Sequence, residues 1–431
     1  MSIKFIDIDK WEEIFKSLRK NRFRTVMTAF GVSWGVFMLI ILVGTGNGLQ
    51  SGVSKGFANF ATNSMFLWTQ TTSKAYNGFQ PGRYINLTNE DIIALKNNIS
   101  EIGVIAPRNE LGSWHRSGDN YSISIVRGIK KASFSIRGDY PEFSKIEKVN
   151  VTKGRYLNQY DIEDKRKIAI IGKRVYEVLF NKGEEPIGKY ISVNGIYFTV
   201  VGIFESDNAG HRMNSDETIF IPFTVFQNAF NYGNRIDMVA LSSKKDIPVS
   251  LLETKVKTLL AKRHNVHPDD KQAINSFNLE EQFNMVSGLF MGISFLIWLV
   301  GTGTLLAGVI GVSNIMLIVV KERTKEIGIR RALGASPYKI VNQIMLESIT
   351  LTIIAGSIGL SLGVGLIETV NNLLKLNSSE TSGESMFGSM SVNLNVALLA
   401  IIILIVSGAL AGLIPARRAI KIKTVEALKD E

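Results

Sequence analysis

The chain of 431 residues contains no cysteine. Disulfide frameworks, thiol nucleophiles and cysteine-based zinc sites are therefore excluded. Histidine is scarce, with four in all. His115 and His211 stand alone, and His264 and His267 lie three residues apart near the end of a predicted surface helix. Zinc takes three or four protein ligands. With no third ligand in view the pair reads as solvated, beside an Asp269-Asp270 step that follows Pro268 and reads as a loop. No serine has a histidine and acid partnership that the sequence itself reveals, a spatial triad being a matter of fold. The phosphate-cradling pattern G-x-x-x-x-G-K-[ST] is also missing: Gly172-Lys173 runs into Arg174, and Gly188-Lys189 into Tyr190. No catalytic residue, metal site or cofactor is expected on this chain.

Charge is absent from long parts of the sequence. Residues 25–54 and 282–320 contain no Asp, Glu, Lys or Arg. The chain is 45% hydrophobic with mean hydropathy +0.14, yet carries 49 basic against 38 acidic residues, a net charge of +11. The basic residues gather beside the uncharged runs and do not interleave with aromatics on a polar segment. That distribution fits a membrane protein and argues against nucleic acid as a partner.

Four apolar runs are long enough to cross a bilayer, which needs about 20 residues each. They are TVMTAFGVSWGVFMLIILVGTG after Arg24, the 282–320 run, SITLTIIAGSIGLSLGVGLI between Glu347 and Glu368, and LNVALLAIIILIVSGALAGLI before Pro415. The first follows 24 polar residues without a small-residue cleavage site. It is expected to be a retained span and not a signal peptide. Residues 1–24 hold seven Lys and Arg, 321–343 hold six and 415–431 hold five, whereas 373–393 hold only Lys375. Both termini and the 321–343 segment are therefore expected in the cytosol. Trp34 and Trp298 read as packing or interfacial aromatics.

The expected organisation follows in chain order. A cytosolic interfacial helix at 1–24, with Trp11, Ile14, Phe15 and Leu18 at helical spacing, leads into a first span at 25–50. An extracytoplasmic domain at 51–283 is followed by a stalk and second span at 284–320 and a cytosolic loop at 321–345. A third span at 346–370, a short outer loop at 371–393, a fourth span at 394–414 and a cytosolic tail at 415–431 complete it. The fold class is thus an α-helical membrane protein with four spans and a large mixed α/β domain inserted between the first two. As helix, the 282–320 run would reach about 58 Å against a hydrocarbon core of about 30 Å. The surplus is expected to stand out of the membrane as a stalk.

The outer segment is patterned for strands and helices. YISVNGIYFTVVGIF alternates around Asn194-Gly195, a type I′ hairpin signal. SWHRSGDNYSISIVRGI suggests a second hairpin turning at Gly118–Asn120. KIAIIG before KRVYEVLFN, and ETIFIP before FTVFQNAF, each read as strand then helix, and DIPVSLLETKVKTLLAKRH reads as a surface helix. An α/β or α+β domain, or two subdomains, of roughly 230 residues is expected.

In the third span Ala355, Gly359 and Gly363 recur at four-residue spacing, and the fourth has Gly408 and Gly412. Such small-xxx-small faces let helices approach closely, either at a subunit interface or within one chain.

The densest pattern is KERTKEIGIRRALGASPYKIVNQIMLE at 321–347. Glu326 precedes Arg330 by four residues, the favourable order for a helical ion pair, so the second span is expected to continue as helix to Leu333. Gly334 is a helix stop, and Ser336 followed by Pro337 is a start signal. A helix, a tight corner and a new helix are expected on the cytosolic face. An ordinary re-entrant turn or a docking point for a partner both answer to that pattern.

EIGIRRALGAS resembles the signature of the FtsX-like permease family, and specifically the MacB-type branch of ABC transporters. GKYISVNGIYFTVVGIFE and DETIFIPFTVFQ resemble the periplasmic core segment of that branch, WEEIFKSLRKNRFRTVMTAFGV its entry, and IPARRAIKIKTVEALKDE its tail. The resemblance runs in order along the whole chain. It implies a permease in the bacterial inner membrane, with its large domain on the periplasmic side. Such a permease works as a homodimer, or as a heterodimer with a sister permease, with ABC ATPase subunits on its cytosolic face. The segment Leu333, Gly334, Ala335, Ser336, Pro337 and Tyr338 would then be the ATPase contact, with Glu322, Glu326, Gly328, Arg330 and Arg331 bracing it. Movement driven by ATP-Mg in the partner would be transmitted to the outer domain for export of a substrate. A periplasmic adaptor and an outer-membrane channel are further implied partners.

Some members of that branch carry an N-terminal ATPase domain. This sequence lacks the phosphate-binding motif, so ATP hydrolysis is expected from a separate polypeptide. Release of lipoproteins from the membrane needs the same architecture. A membrane-anchored sensor would need a cytosolic output domain, for which 1–24, 321–345 and 415–431 are too short. Macrolides, peptides, siderophores, toxins and lipoproteins all remain open as substrates.

Overall fold

A computed structural model describes residues 22–112, 123–206, 216–378 and 394–420. The chain divides into two compact units, one of Met1–Val53 with Gly288–Glu431 and one of Ser54–Ser287. Most of the expected helix at 1–24, the turn at Gly118–Asn120, His115, His211, residues 379–393 and residues 421–431 lie outside the described residues.

The four apolar runs are helices long and apolar enough to cross a membrane. α1 spans Arg22–Phe57, and the helix of Leu279–Glu322, α7 in chain order, has 44 residues. After a short helix α8 (Thr324–Ala332) come α9 (Pro337–Ser378) and α10 (Leu394–Ile420). α10 does not stop at Pro415 but continues through it. A membrane helix tolerates a proline where neighbouring groups satisfy the freed carbonyl. The core of this unit joins Val32, Val36 and Ile40 of α1, Val312, Met316 and Val320 of α7, Ile340, Ile344 and Ala355 of α9, and Leu404 and Ala411 of α10. Many other apolar side chains, Trp34 and Trp298 among them, face outward, as a lipid-facing surface requires.

The second unit is built on one mixed twelve-stranded sheet. Its strands are β1 (Ser64–Thr69), β3 (Ile102–Leu111), β4 (Ile125–Arg127), β5 (Lys130–Ala132), β6 (Ser135–Asp139) and β7 (Val151–Gly154). The others are β8 (Ile168–Gly172), β9 (Tyr190–Val193), β10 (Ile196–Phe204), β11 (Thr218–Pro222), β13 (Met238–Ser243) and β14 (Ile274–Asn278). They run in the order β14-β1-β13-β3-β6-β11-β8-β10-β9-β4-β5, with β7 beside β10. β2 (Leu87–Thr88) and β12 (Arg235–Ile236) form a separate pair.

Asn194 and Gly195 take φ of 49° and 86° and turn the β9–β10 hairpin as expected. The turn expected at Gly118–Asn120 lies outside the described residues, and a separate hairpin follows it. Ile125–Arg127 pairs with Lys130–Ala132, so the described turn falls at Gly128-Ile129, with Gly128 supplying a φ of 59°. The Gly-X step in VRGIKK was the turn signal there. Both strand-then-helix readings hold: after the short helix α3 (Gln159–Glu163), β8 runs into α4 (Lys173–Leu179), and β11 runs into α5 (Phe223–Ala229). The surface helix is α6, Val249–Arg263.

One sheet carries two apolar cores. The first packs β1, β13 and β14 under α2 (Asn89–Asn98) and α6, through Met65, Leu67, Leu95, Leu241, Leu252, Val256 and Leu260. The second packs β8, β9, β10 and β11 under α4 and α5, through Ile171, Val175, Leu179, Phe198, Ile219 and Phe226. They meet where β3 pairs with β6. On the face opposite these helices, Arg108 is wholly buried between the Phe143 and Phe220 rings, 3.5 and 5.9 Å from their centroids. Its guanidinium donates to Asp139 at 2.7 and 2.6 Å and to Glu147 at 3.1 Å. Burial opposes that charge, but the two carboxylates outweigh it and hold the Arg108 pKa above its ordinary value. Burial, reinforced by Asp139, pushes the Tyr156 phenol well up.

Candidate functional site

The loop between α7 and α9 is a helix and a corner. α7 ends at Glu322, and a single non-helical residue, Arg323 (φ −100°, ψ 15°), separates it from α8. This differs from the uninterrupted helix expected up to Leu333. The break has a local cause: the Thr324 hydroxyl donates to the Lys321 carbonyl at 2.7 Å and approaches that of Val320 at 3.3 Å. Hydroxyl back-bonding of this kind competes with the helical ladder and bends it.

The corner is closed by backbone hydrogen bonds. Gly334 N–H donates to the Arg331 carbonyl at 3.1 Å, and Ala335 N–H to the Arg330 carbonyl at 3.0 Å. This is the paired closure of a Schellman motif, which places its left-handed residue just past the helix cap. Gly334 fills that position with φ +94°, a conformation costly for any residue with a Cβ. Lys339 N–H donates to the Ser336 carbonyl at 3.0 Å, opening the first turn of α9 behind Pro337. On either side of the corner, Leu333 is 83% and Tyr338 77% exposed. Two large side chains are thus held out by a backbone whose turn is internally satisfied.

Most of the expected bracing residues gather behind the corner. Arg330 donates to Glu326 at 2.7 Å, the expected pair, and to Gln343 of α9 at 2.8 Å. Arg331 donates to the carbonyl of Ile420 at the end of α10, at 2.8 Å. Gly328 is buried beside Ile327, which joins Ile340 and Ile344 of α9 in the apolar core. Glu322 is exposed at the end of α7.

The small-residue faces pack within this one chain. A Cβ on Gly359 would lie 2.2 Å from the Ser33 carbonyl oxygen of α1, and one on Gly363 would lie 2.9 Å from Ile40. Gly408 approaches Ile349 and Thr352 of α9, Gly412 approaches Ser348 and Met345, and Ala355 is fully buried. These close approaches are all made between helices of this chain.

In the outer unit His264 is not a solvated residue. Its Nε2 lies 2.8 Å from buried Asp91, which also accepts from Arg263 at 2.7 Å. His267 stacks edge-on against Tyr76. Asp270 is buried and accepts from Ser73 and Lys74 backbone N–H groups. Among the described residues, no group of three His, Asp or Glu is arranged to hold a metal.

Two family models together account for most of the chain. The MacB-like periplasmic core domain matches residues 25–259, more than half of it, and the FtsX-like permease C-terminal model matches residues 298–424, corner included. The chain belongs to the MacB-type branch of the FtsX-like permeases. It is 26% identical to the macrolide export ATP-binding/permease protein MacB of Bdellovibrio bacteriovorus, over 98% of this chain and 62% of that protein. It is 27% identical to the pyoverdine export ATP-binding/permease protein PvdT of Pseudomonas savastanoi pv. phaseolicola, over 98% of this chain and 60% of that protein. This permease chain thus spans about three fifths of the length of the curated relatives it matches. The periplasmic region of MacB from Actinobacillus actinomycetemcomitans aligns at 17% identity with a TM-score of 0.42, covering 55% of this chain and 97% of that one.

Three residues at the corner of this permease escaped the sequence reading: Arg323, Gln343 and Glu347. Gln343 and Glu347 are one turn apart on the α9 face that also carries buried Ile340 and Ile344. Polar residues at the spacing of an apolar stripe were the available signal.

Proposed function

We propose that this multi-pass membrane protein is the permease of a MacB-type ABC exporter, coupling ATP hydrolysis on the cytosolic side to movement of its outer domain. The observation that carries this reading is the corner itself. Leu333 and Tyr338 are exposed on a turn that needs no partner for its own hydrogen bonds, and Arg330 and Arg331 tie it to α9 and α10. Exposed large side chains on a rigid support are what a docking contact requires.

An ABC ATPase using ATP-Mg is the proposed occupant, on a separate polypeptide, with the permease acting as a homodimer or beside a sister permease. Transmission through α1 and α7 is supported by their length. At about 1.5 Å per residue, 36 and 44 residues reach about 54 and 66 Å, against about 30 Å of hydrocarbon. Both helices also reach the sheet unit, where Phe57 and Leu279 join the apolar cluster of Phe66 and Phe143. The relatives' names, which include macrolide and pyoverdine export, favour export of a small molecule. The bacterial inner membrane is the proposed location, and a periplasmic adaptor and an outer-membrane channel are further proposed partners.

The test is gentle-detergent purification from native membranes through a C-terminal tag. An ATPase carrying the phosphate-binding motif is expected to accompany the native protein and to be lost from Leu333→Asp and Tyr338→Asp variants that still insert. Retention of the ATPase by both variants would remove the corner from the interface.

A further inference from the structure

α8 and the start of α9 lie side by side, joined at the corner and cross-linked at two levels. Near the corner Arg330 donates to Gln343 at 2.8 Å. One helical turn further along α9, at the far end of α8, Arg323 donates to Glu347 at 3.1 Å. Between the rungs Ile327 packs with Ile340 and Ile344. Arg323 is also the residue at which α7 gives way to α8. The side chain at the break is therefore anchored on a helix other than the two it separates.

Glu347 is only 3% exposed, and a carboxylate so placed strongly prefers to keep a cationic partner. On the α7 side the joint is bent, although Arg323 N–H still donates to the Val319 carbonyl at 3.1 Å. The Thr324 hydroxyl occupies carbonyls of the last turn of α7, and Arg323 sits in the sparsely populated bridge region. A joint bent on one side and cross-linked on the other can set which helices move together.

We propose that Arg323–Glu347 is a latch that makes α8 and the first turns of α9 one rigid body, hinged from α7 at Arg323. Arg323 and Glu347 are positioning residues: they fix how displacement of the corner divides between α9 and α7. The consequence for transport rests on the proposed docking of an ATPase at the corner. The latch itself is a property of this chain and is measured without any partner.

The absence of cysteine permits spin labels at chosen sites only. We would place them at Lys325 of α8, Ile310 of α7, Ile358 of α9 and Ile402 of α10, all exposed. Distances would be read by pulsed electron resonance on the full chain in lipid nanodiscs. Lys325–Ile358 is expected to be narrow and Lys325–Ile310 broader. Glu347→Gln removes the charge at constant size. It is expected to shift the ratio of docked to undocked α8 by on the order of 100-fold, broadening Lys325–Ile358 while the Ile358–Ile402 control stays narrow.

The exchange Arg323→Glu with Glu347→Arg is expected to narrow Lys325–Ile358 again, which a merely space-filling role would not produce. An unchanged Lys325–Ile358 distribution in Glu347→Gln, or broadening of the control as well, overturns the latch. If the latch holds but the ATPase ignores Leu333→Asp and Tyr338→Asp, the docking assignment fails alone.

Discussion

Arg108 and Asp139 face each other directly across the β3–β6 pair and close a two-pronged ion pair with both side chains out of solvent. The pair sits where the two apolar cores of the outer unit meet. Glu147 supplies a second carboxylate and Tyr156 a hydroxyl 3.4 Å from Asp139. Two residues further along the same register, Arg137 donates to Glu110 at 2.8 Å. The junction of the cores is thus held by charge and hydrogen bonds, and apolar burial lies to either side.

Removing the cation alone is expected to cost more than removing it together with its two carboxylates. Arg108→Met leaves two buried carboxylates without their cation. It should destabilise the sheet by about 3–5 kcal/mol. Arg108→Met with Asp139→Leu and Glu147→Leu should recover most of that loss. Hydrogen exchange of the β3 and β6 amides in the full chain gives the measurement. Equal protection of Arg108→Met and the native protein would show that the charge group does not hold the junction.

Asp91 gives the outer unit an acid limit. Burial pushes its pKa up, but hydrogen bonds from His264 and Arg263 outweigh that and hold it at about 2, below the ordinary 3.8. A depressed carboxylate contributes stability above its unfolded pKa and loses it as pH falls through the folded one. The contribution, about 2 kcal/mol by the linkage relation, should therefore be complete above pH about 4 and fade toward pH 2. Asp91→Asn should be less stable than the native protein at neutral pH, and the difference should shrink through that window. A constant difference between pH 5 and pH 2 would mean that Asp91 acts only as the cap of α2, where it accepts from Thr88 N–H at 2.9 Å.

How much of this was legible depended on the range of the interaction. The Asn194-Gly195 hairpin, the Gly334 stop and the Pro337 start are dictated by residues within a few positions of one another, and the backbone follows them. The Glu326–Arg330 pair is equally local. Arg108 is different: in VIAPRNEL it reads as a polar interruption of a strand, and its partners are 31 and 39 residues away. Only the β3–β6 register brings them together, and no local pattern encodes that register. The continuity of the sheet through both halves was hidden for the same reason. Glu347 was visible but read as the edge of a span, because its buried state depends on α8 folding back along α9. The glycine spacing of α9 and α10 announced close approach without naming the neighbour, and Ser33, Ile40 and Ile349 are chosen by tertiary packing.

The glycines separate into close contacts and open surface, and their substitutions should separate likewise. Gly359→Ala places a methyl group against the Ser33 backbone, which cannot rotate away. α1 and α9 must move apart, at about 1–3 kcal/mol. Gly303 has nothing within 4 Å of an added Cβ, so Gly303→Ala should be neutral or gain up to about 1 kcal/mol of helix propensity. Thermal unfolding of both variants in the same detergent compares them. If they melt alike, the α1–α9 approach is looser than the geometry states.

Gly334 joins the local and the functional arguments. Its φ of +94° is forced by the two hydrogen bonds that close the corner, and a Cβ there costs about 1–2 kcal/mol. An added methyl group meets nothing within 4 Å, so Gly334→Ala acts on the backbone alone. The corner must then open, releasing the Arg330 and Arg331 carbonyls and rotating Leu333 away from Tyr338. Membrane insertion should be unchanged, since the four apolar helices are untouched, while the amount of co-purifying ATPase should fall several-fold, by about 5–30-fold for that cost. Gly303→Ala serves as the matched control, a glycine of the same unit without positive φ. Undiminished ATPase on Gly334→Ala would mean that the partner reads the exposed side chains without needing the turn that presents them.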